Sequence, residues 1–118
     1  MDIKELMVEI TNLHQAGAVH VKRGYKMSDA TAAVSSNHLI EEAAEYQAAL
    51  MSEDVEARTE EAADVLLCYL QTLRHGEIDL EQVIKVADEK LHRVWTTDLS
   101  KVTAIKPGFT RRGRAPVP

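Results

Sequence analysis

Leu80, Val83, Ala87, Leu91 and Val94 recur three or four positions apart with Ile84 beside Val83, and three other stretches of the chain repeat that spacing. A period near 3.6 lays apolar side chains along one stripe of a helix, and it does not suit the two-residue alternation of a half-buried strand. Ile3, Leu6, Met7, Ile10 and Leu13 predict a first helix over residues 2–22. Leu39, Ala43, Tyr46 and Leu50 predict the core stripe of a second, over 29–51, with Ser35, Ser36 and Asn37 marking a kink or a restart. Ala63, Leu66, Leu67, Leu70 and Leu73 predict a third over 54–75, ended by Gly76, and the opening set predicts a fourth over 79–95. The segment "RGYKMSD" (23–29) connects the first two, with Gly24 as breaker and Ser28 or Asp29 as N-cap. "MSEDVEA" (51–57) is a short capped turn. Four helices on short links give an all-α, four-helix-bundle-like fold over residues 1–98. Beyond Asp98 the periodicity fades, and residues 99–118 read as a basic C-terminal tail. Aromatics make up only 4% of the chain, so the core is lightly built and dimerisation is expected to complete it.

Charge is distributed unevenly. Residues 1–100 hold 9 Lys/Arg against 19 Asp/Glu, while Lys101, Lys106, Arg111, Arg112 and Arg114 follow with no acid. An acidic body does not suit a nucleic-acid duplex, whose binding runs on clustered basic charge, but it suits divalent cations. One cysteine, Cys68, allows no intrachain disulfide and fits a reducing cytoplasm. No apolar run reaches the ~20 residues that span a bilayer, and the acidic, amphipathic "MDIKELMVEI" does not resemble a signal peptide. The expectation is a cytoplasmic protein without membrane partners.

One residue interrupts the third helix. In "EEAADVLLCYL" (60–70), Asp64 stands within an otherwise apolar run. Burying an unpaired carboxylate costs about several kcal/mol, so Asp64 must be exposed, neutralised, paired or bound to a cation. The second helix carries a comparable motif, "EEAAE" (41–45). Residues three or four apart share a helix face, which pairs Glu42 with Glu45 and Glu61 with Asp64. Glu42 lies about 60° around the helix from Leu39, at the border of the expected stripe. Both pairs can then face inward, where four carboxylates would repel one another unless a cation stood between them. Mg²⁺, with its preference for oxygen ligands and phosphates, is the natural occupant, and Asp64 then reads as a ligand. The opposing reading makes both motifs ordinary solvated helix faces.

"EEAAE" followed after fifteen residues by "EAAD" (61–64) resembles the EExxE…ExxD signature of the MazG-like all-α nucleoside triphosphate pyrophosphohydrolases. That superfamily includes the dimeric dUTPases and phosphoribosyl-ATP pyrophosphohydrolase. The flanking "LIEEAAEYQAAL" and "EEAADVLLCYL" are also similar to the family, and the likeness covers roughly residues 5–95. It implies a Mg²⁺ site (with Mn²⁺ able to substitute) formed by Glu42, Glu45, Glu61 and Asp64, with Glu41 and Glu42 serving catalysis. It implies cleavage of (d)NTP to (d)NMP and pyrophosphate, a nucleoside triphosphate substrate, and a homodimer or dimer of dimers. Lys90 and Arg93, in "EKLHR", resemble the family's phosphate-contacting basic residues, whereas Lys22, Arg23 and Lys26 form a weaker basic set. His38 shares the side of Glu42 and Glu45 and, with Asn37, is a candidate contact to the nucleotide. One departure is that the chain's single tryptophan, Trp95, falls late, with Tyr25, Tyr46, Tyr69 and Phe109 elsewhere, so base preference stays open. Cys68, one turn beyond Asp64, suits packing.

Two rival functions remain on the residues alone. A di-iron or di-manganese carboxylate bundle wants two Glu-x-x-His motifs, and this chain has one, Glu89/His92. A non-catalytic dimeric helical binding module would use the acidic face to hold a partner.

Overall fold

The computed structural model describes residues 1–20 and 23–96, with side chains through Arg93. The expected tail with its boundary at residue 98, the side chain of Trp95, and Lys22 and Phe109 lie outside the described residues. Four helices dominate: α1 (Ile3–Gln15), α2 (Ala32–Leu50), α3 (Val55–His75) and α4 (Leu80–Thr96). Two two-residue strands, β1 (Val19–His20) and β2 (Tyr25–Lys26), and a 3₁₀ turn over Met27–Asp29 join α1 to α2. The fold is all-α, as the periodicity predicts. The chain divides into two compact units, Met1–Lys85 and Val86 onward, with the junction inside α4.

α1 is held at its start by a reciprocal capping box, in which the Glu5 N–H donates to Asp2 Oδ1 (2.8 Å) and the Asp2 N–H donates to Glu5 Oε1 (2.9 Å). It ends seven residues earlier than the spacing predicts. Gly17 takes a left-handed φ of +72°, which lets its N–H reach the His14 carbonyl (3.1 Å) while the Ala18 N–H reaches that of Leu13 (3.0 Å). This 5→2 and 6→1 pair is a Schellman stop, and glycine adopts its left-handed residue without a Cβ clash. The same pattern closes α3, with the Glu77 N–H on the Arg74 carbonyl (3.2 Å) and the Ile78 N–H on that of Leu73 (2.8 Å). There Gly76 is the cap and Glu77 itself carries the positive φ, 56°.

α2 is capped by Thr31, whose side chain accepts from the Val34 N–H, rather than by Ser28 or Asp29. It runs unbroken through Ser35–Asn37, because the Ser35 and Ser36 hydroxyls turn back onto the carbonyls of Ala32 and Ala33 and leave the helix ladder intact. A four-residue link leads to α3, capped by Asp54. Arg58 of α3 donates to the carbonyls of Ala49 (3.3 Å) and Ser52, placing a cation at the negative end of α2. Consecutive helices on so short a link pack antiparallel.

α3 has two different faces. Leu70 and Leu73 pack with Ile10 of α1 and Leu80 of α4 into an apolar core, against which Ile3, Leu6, Met7, Tyr69 and Val83 also lie. Cys68 and Gln71, also buried, sit about 160° around the helix from that pair on average. α2, whose main packing partner is α3, buries Ser35, Glu42 and Ala49. Those three stand seven apart, so they form one line, displaced about 70° from the predicted stripe of Leu39, Ala43, Tyr46 and Leu50. Leu50 is 47% exposed and Ala43 lies at the surface. The seam between α2 and α3 is therefore polar at its centre, while the apolar core belongs to α1, the far half of α3 and the start of α4.

Candidate functional site

Glu42 lies in that seam at 4% exposure, a charge that the fold has placed inside deliberately or must compensate. Two other carboxylates meet it. One oxygen from each of Glu42, Glu45 and Glu61 falls within 4.8 Å of the others, and among the described residues no other set of three or more potential metal ligands converges so closely. One turn of α2 separates Glu42 from Glu45, and Glu61 comes from the first half of α3, so the antiparallel pairing of the two helices makes the cluster. Glu42 is buried, Glu61 half-buried and Glu45 exposed, an order that leads from the seam to solvent. The Oε2 atoms of Glu42 and Glu61 are shut off from solvent. Asp64 is half-buried one turn beyond Glu61 and does not belong to the converging set.

Hard oxygen donors at this separation fit a divalent cation such as Mg²⁺ or Mn²⁺, which takes carboxylates and keeps further positions for water or phosphate. Among the described residues a thiol-seeking or imidazole-seeking metal finds no comparable set.

A basic residue from elsewhere in the chain reaches the acids. Arg23 contacts Glu41 through Nη1 (2.5 Å) and Glu42 through Nη2 (3.7 Å), and its side chain is only 22% exposed. Its position depends on the small hairpin, where Val19 pairs with Lys26 and His20 with Tyr25. Gly24, at φ +74°, turns the chain, and the N–H groups of Arg23 (3.2 Å) and Gly24 (2.7 Å) close onto the His20 carbonyl. Sequence spacing did not single out Arg23 from Lys22 and Lys26, because the contact spans eighteen positions through a turn that helical periodicity cannot register. The Gly24 breaker was its visible signal.

The same hairpin builds a ring cluster with α2. The Tyr25 hydroxyl lies 2.7 Å from His38 Nδ1, and the two rings stack at 5.4 Å between centroids with 23° between planes. His20 closes the group, 5.5 Å from Tyr25 and 5.8 Å from His38. Burial holds the His38 pKa below the usual histidine value, helped by the Arg23 and His20 charges and opposed by Glu41 and Glu42. Burial raises the Tyr25 pKa, with Cys68 adding to the rise and Arg23 opposing it. Near neutral pH the phenol keeps its proton and donates to a neutral His38, whose Nε2 then carries the ring hydrogen. His38 is thus half-buried and held, whereas Asn37 is exposed on the next position. Glu41 is half-exposed beside Arg23. Lys90 and Arg93 are exposed on the part of α4 belonging to the second unit.

The model of the MazG nucleotide pyrophosphohydrolase domain matches residues 31–96, a span that begins at the N-cap of α2 and contains both acidic motifs. No curated protein and no solved structure matches the chain.

Proposed function

The chain belongs to the MazG nucleotide pyrophosphohydrolase domain family, and from that premise we propose that it hydrolyses nucleoside triphosphates, in the presence of Mg²⁺, to the monophosphate and pyrophosphate. The observation that carries this reading is the convergence of Glu42, Glu45 and Glu61 within 4.8 Å across the α2–α3 seam. Those three residues hold the cation, and Asp64, one turn along α3 from Glu61, is the fourth acid available to it. When bound, Mg²⁺ supplies neutralisation of the triphosphate charge and acidification of a water.

The remaining roles fall to the chain's own groups. Glu41, half-exposed at the outer edge of the cluster, takes the proton of the attacking water on its carboxylate. The water oxygen bonds to phosphorus as the α–β bridging P–O bond breaks, and the bridging oxygen leaves with pyrophosphate. His38 and Asn37 face the nucleoside, with His38 Nε2–H as a donor fixed by the Tyr25 bond to Nδ1. By their resemblance to the family's basic residues, Lys90 and Arg93 are the candidate contacts to phosphate. A second copy of the chain supplies further walls to the nucleotide, and the physiological task is removal of surplus or non-canonical nucleotides.

The test is pyrophosphate release from a panel of canonical and damaged (d)NTPs, with Mg²⁺ and with EDTA, beside Glu42→Gln and Asp64→Ala. Release that requires the cation and falls about 100-fold or more in both variants is the expected result. Hydrolysis that survives EDTA, or variants that turn over like the parent, would remove the acids from the chemistry. No release from any nucleotide, with a bound partner protein instead, would favour the non-catalytic binding module.

A further inference from the structure

Arg23 stands where its charge has two possible customers. In the structure its guanidinium is shared between Glu41 (2.5 Å) and Glu42 (3.7 Å), and Glu42 is also one of the three carboxylates gathered within 4.8 Å. Arginine cannot lose its proton, so the positive charge stays whatever else arrives. A divalent cation bound by Glu42, Glu45 and Glu61 would lie within a few ångströms of that charge, and the two would repel by Coulomb's law. That repulsion weakens the hold of the guanidinium on Glu42 when the ion enters. What the ion brings with it is a triphosphate, whose oxygens match the planar fork of arginine better than a lone carboxylate does.

Three features make such an exchange practicable. Arg23 is carried on a hairpin turn, not on α2 or α3, so its side chain can re-aim without disturbing the helices that hold the acids. Its backbone is fixed, with the Arg23 N–H on the His20 carbonyl (3.2 Å), and near His20 Nδ1 (3.3 Å). Its side chain is 22% exposed, so it has a route to solvent and to an incoming anion.

We propose that Arg23 is a substrate-positioning residue that exchanges partners, leaving its contacts with Glu41 and Glu42 for the triphosphate when cation and nucleotide bind. It rests on the pyrophosphohydrolase reading for the identity of its anion. The role has an unusual signature, because Arg23 opposes the cation and favours the phosphate. Removing it should move the two affinities in opposite directions, whereas loss of a merely structural contact would weaken both.

The experiment uses the full chain with Arg23→Ala and Arg23→Lys. Mn²⁺ binding without nucleotide is measured by electron paramagnetic resonance. Binding of inorganic tripolyphosphate is then measured by calorimetry at saturating Mn²⁺. Arg23→Ala is expected to bind Mn²⁺ about 10-fold more tightly and tripolyphosphate about 10-fold more weakly, with Arg23→Lys between it and the parent. Circular dichroism of both variants checks that the helices are intact, and Arg23→Lys carries the test if the alanine variant fails to fold. Unchanged tripolyphosphate affinity, or metal affinity that falls, overturns the proposal. A parent that binds Mn²⁺ and tripolyphosphate through Arg23 yet hydrolyses no nucleotide would sink the enzymatic reading and leave the exchange standing.

Discussion

His14 shows how firmly a fold can dictate one residue's charge. It is 7% exposed on α1 and stacks on His75 of α3, with ring centroids 4.9 Å apart and planes at 21°. Among the described residues its Nε2 and the Nδ1 of His75 are buried without a hydrogen-bond partner, while His75 Nε2 meets the Met27 carbonyl at 3.0 Å. A carbonyl can only accept, so Nε2 of His75 carries a hydrogen. Burial, then the charges of His75 and Arg74, hold the His14 pKa below its usual 6.5. The sign follows directly. The unfolded chain takes up a proton at His14 near pH 6.5 and the folded chain resists it, so stability is complete above that pH and declines as pH falls below it. Urea unfolding between pH 7.5 and 5 should show that decline, and His14→Leu should flatten it; an unchanged slope in the variant would clear His14. Among the acids, legibility was mixed. Glu42 was readable as inward-facing from its place near an apolar stripe, but its depth was not, because the stripe itself lay elsewhere on the helix.

That displacement belongs to the element scale. The spacing of Leu39, Ala43, Tyr46 and Leu50 identified α2 as a helix correctly, and all four helices were legible in this way because 3.6-residue periodicity is a local property. Which neighbour a stripe meets is not local. α2 buries Ser35, Glu42 and Ala49, while of its apolar stripe Ala43 and Leu50 are exposed and Leu39 and Tyr46 only half-buried. α3 behaves similarly, since Leu66 continues the Leu70–Leu73 face by one turn but is 37% exposed, and Leu67 is 38% exposed. Apolar surface of this kind on consecutive helices is what a second copy of the chain would cover. Light scattering after size exclusion should give at least twice the 13.1 kDa chain mass, and Leu50→Lys with Leu67→Lys should shift it toward the monomer. A monomeric parent at tens of micromolar would remove the second copy from the account. The early end of α1 was legible in hindsight from Gly17. The hairpin that follows was not, because two-residue strands carry no periodic signal.

At the scale of the molecule, the apolar core and the acidic cluster use different parts of α3. Ile10, Leu70, Leu73 and Leu80 hold α1 and the start of α4 in place. α2, by contrast, is joined to α3 along a line whose centre is a carboxylate. Among the described residues no helix is long and apolar enough to cross a membrane. A helix whose packing line centres on a carboxylate is expected to open at lower free energy than the apolar core does. An ion that draws Glu42 and Glu45 of α2 toward Glu61 of α3 would bind the closed pair and not the open one, and so would stabilise the joint by mass action. Hydrogen exchange with Mg²⁺ and with EDTA should show slower exchange at α2 amides when the ion is present, and little change around Leu70 and Leu73. Equal protection across both regions, or none, would separate the ion from the joint. On the proposed reading, the polar seam would tie survival to mineral supply: stripped of divalent cations, α2 would be the first stretch that proteases reach.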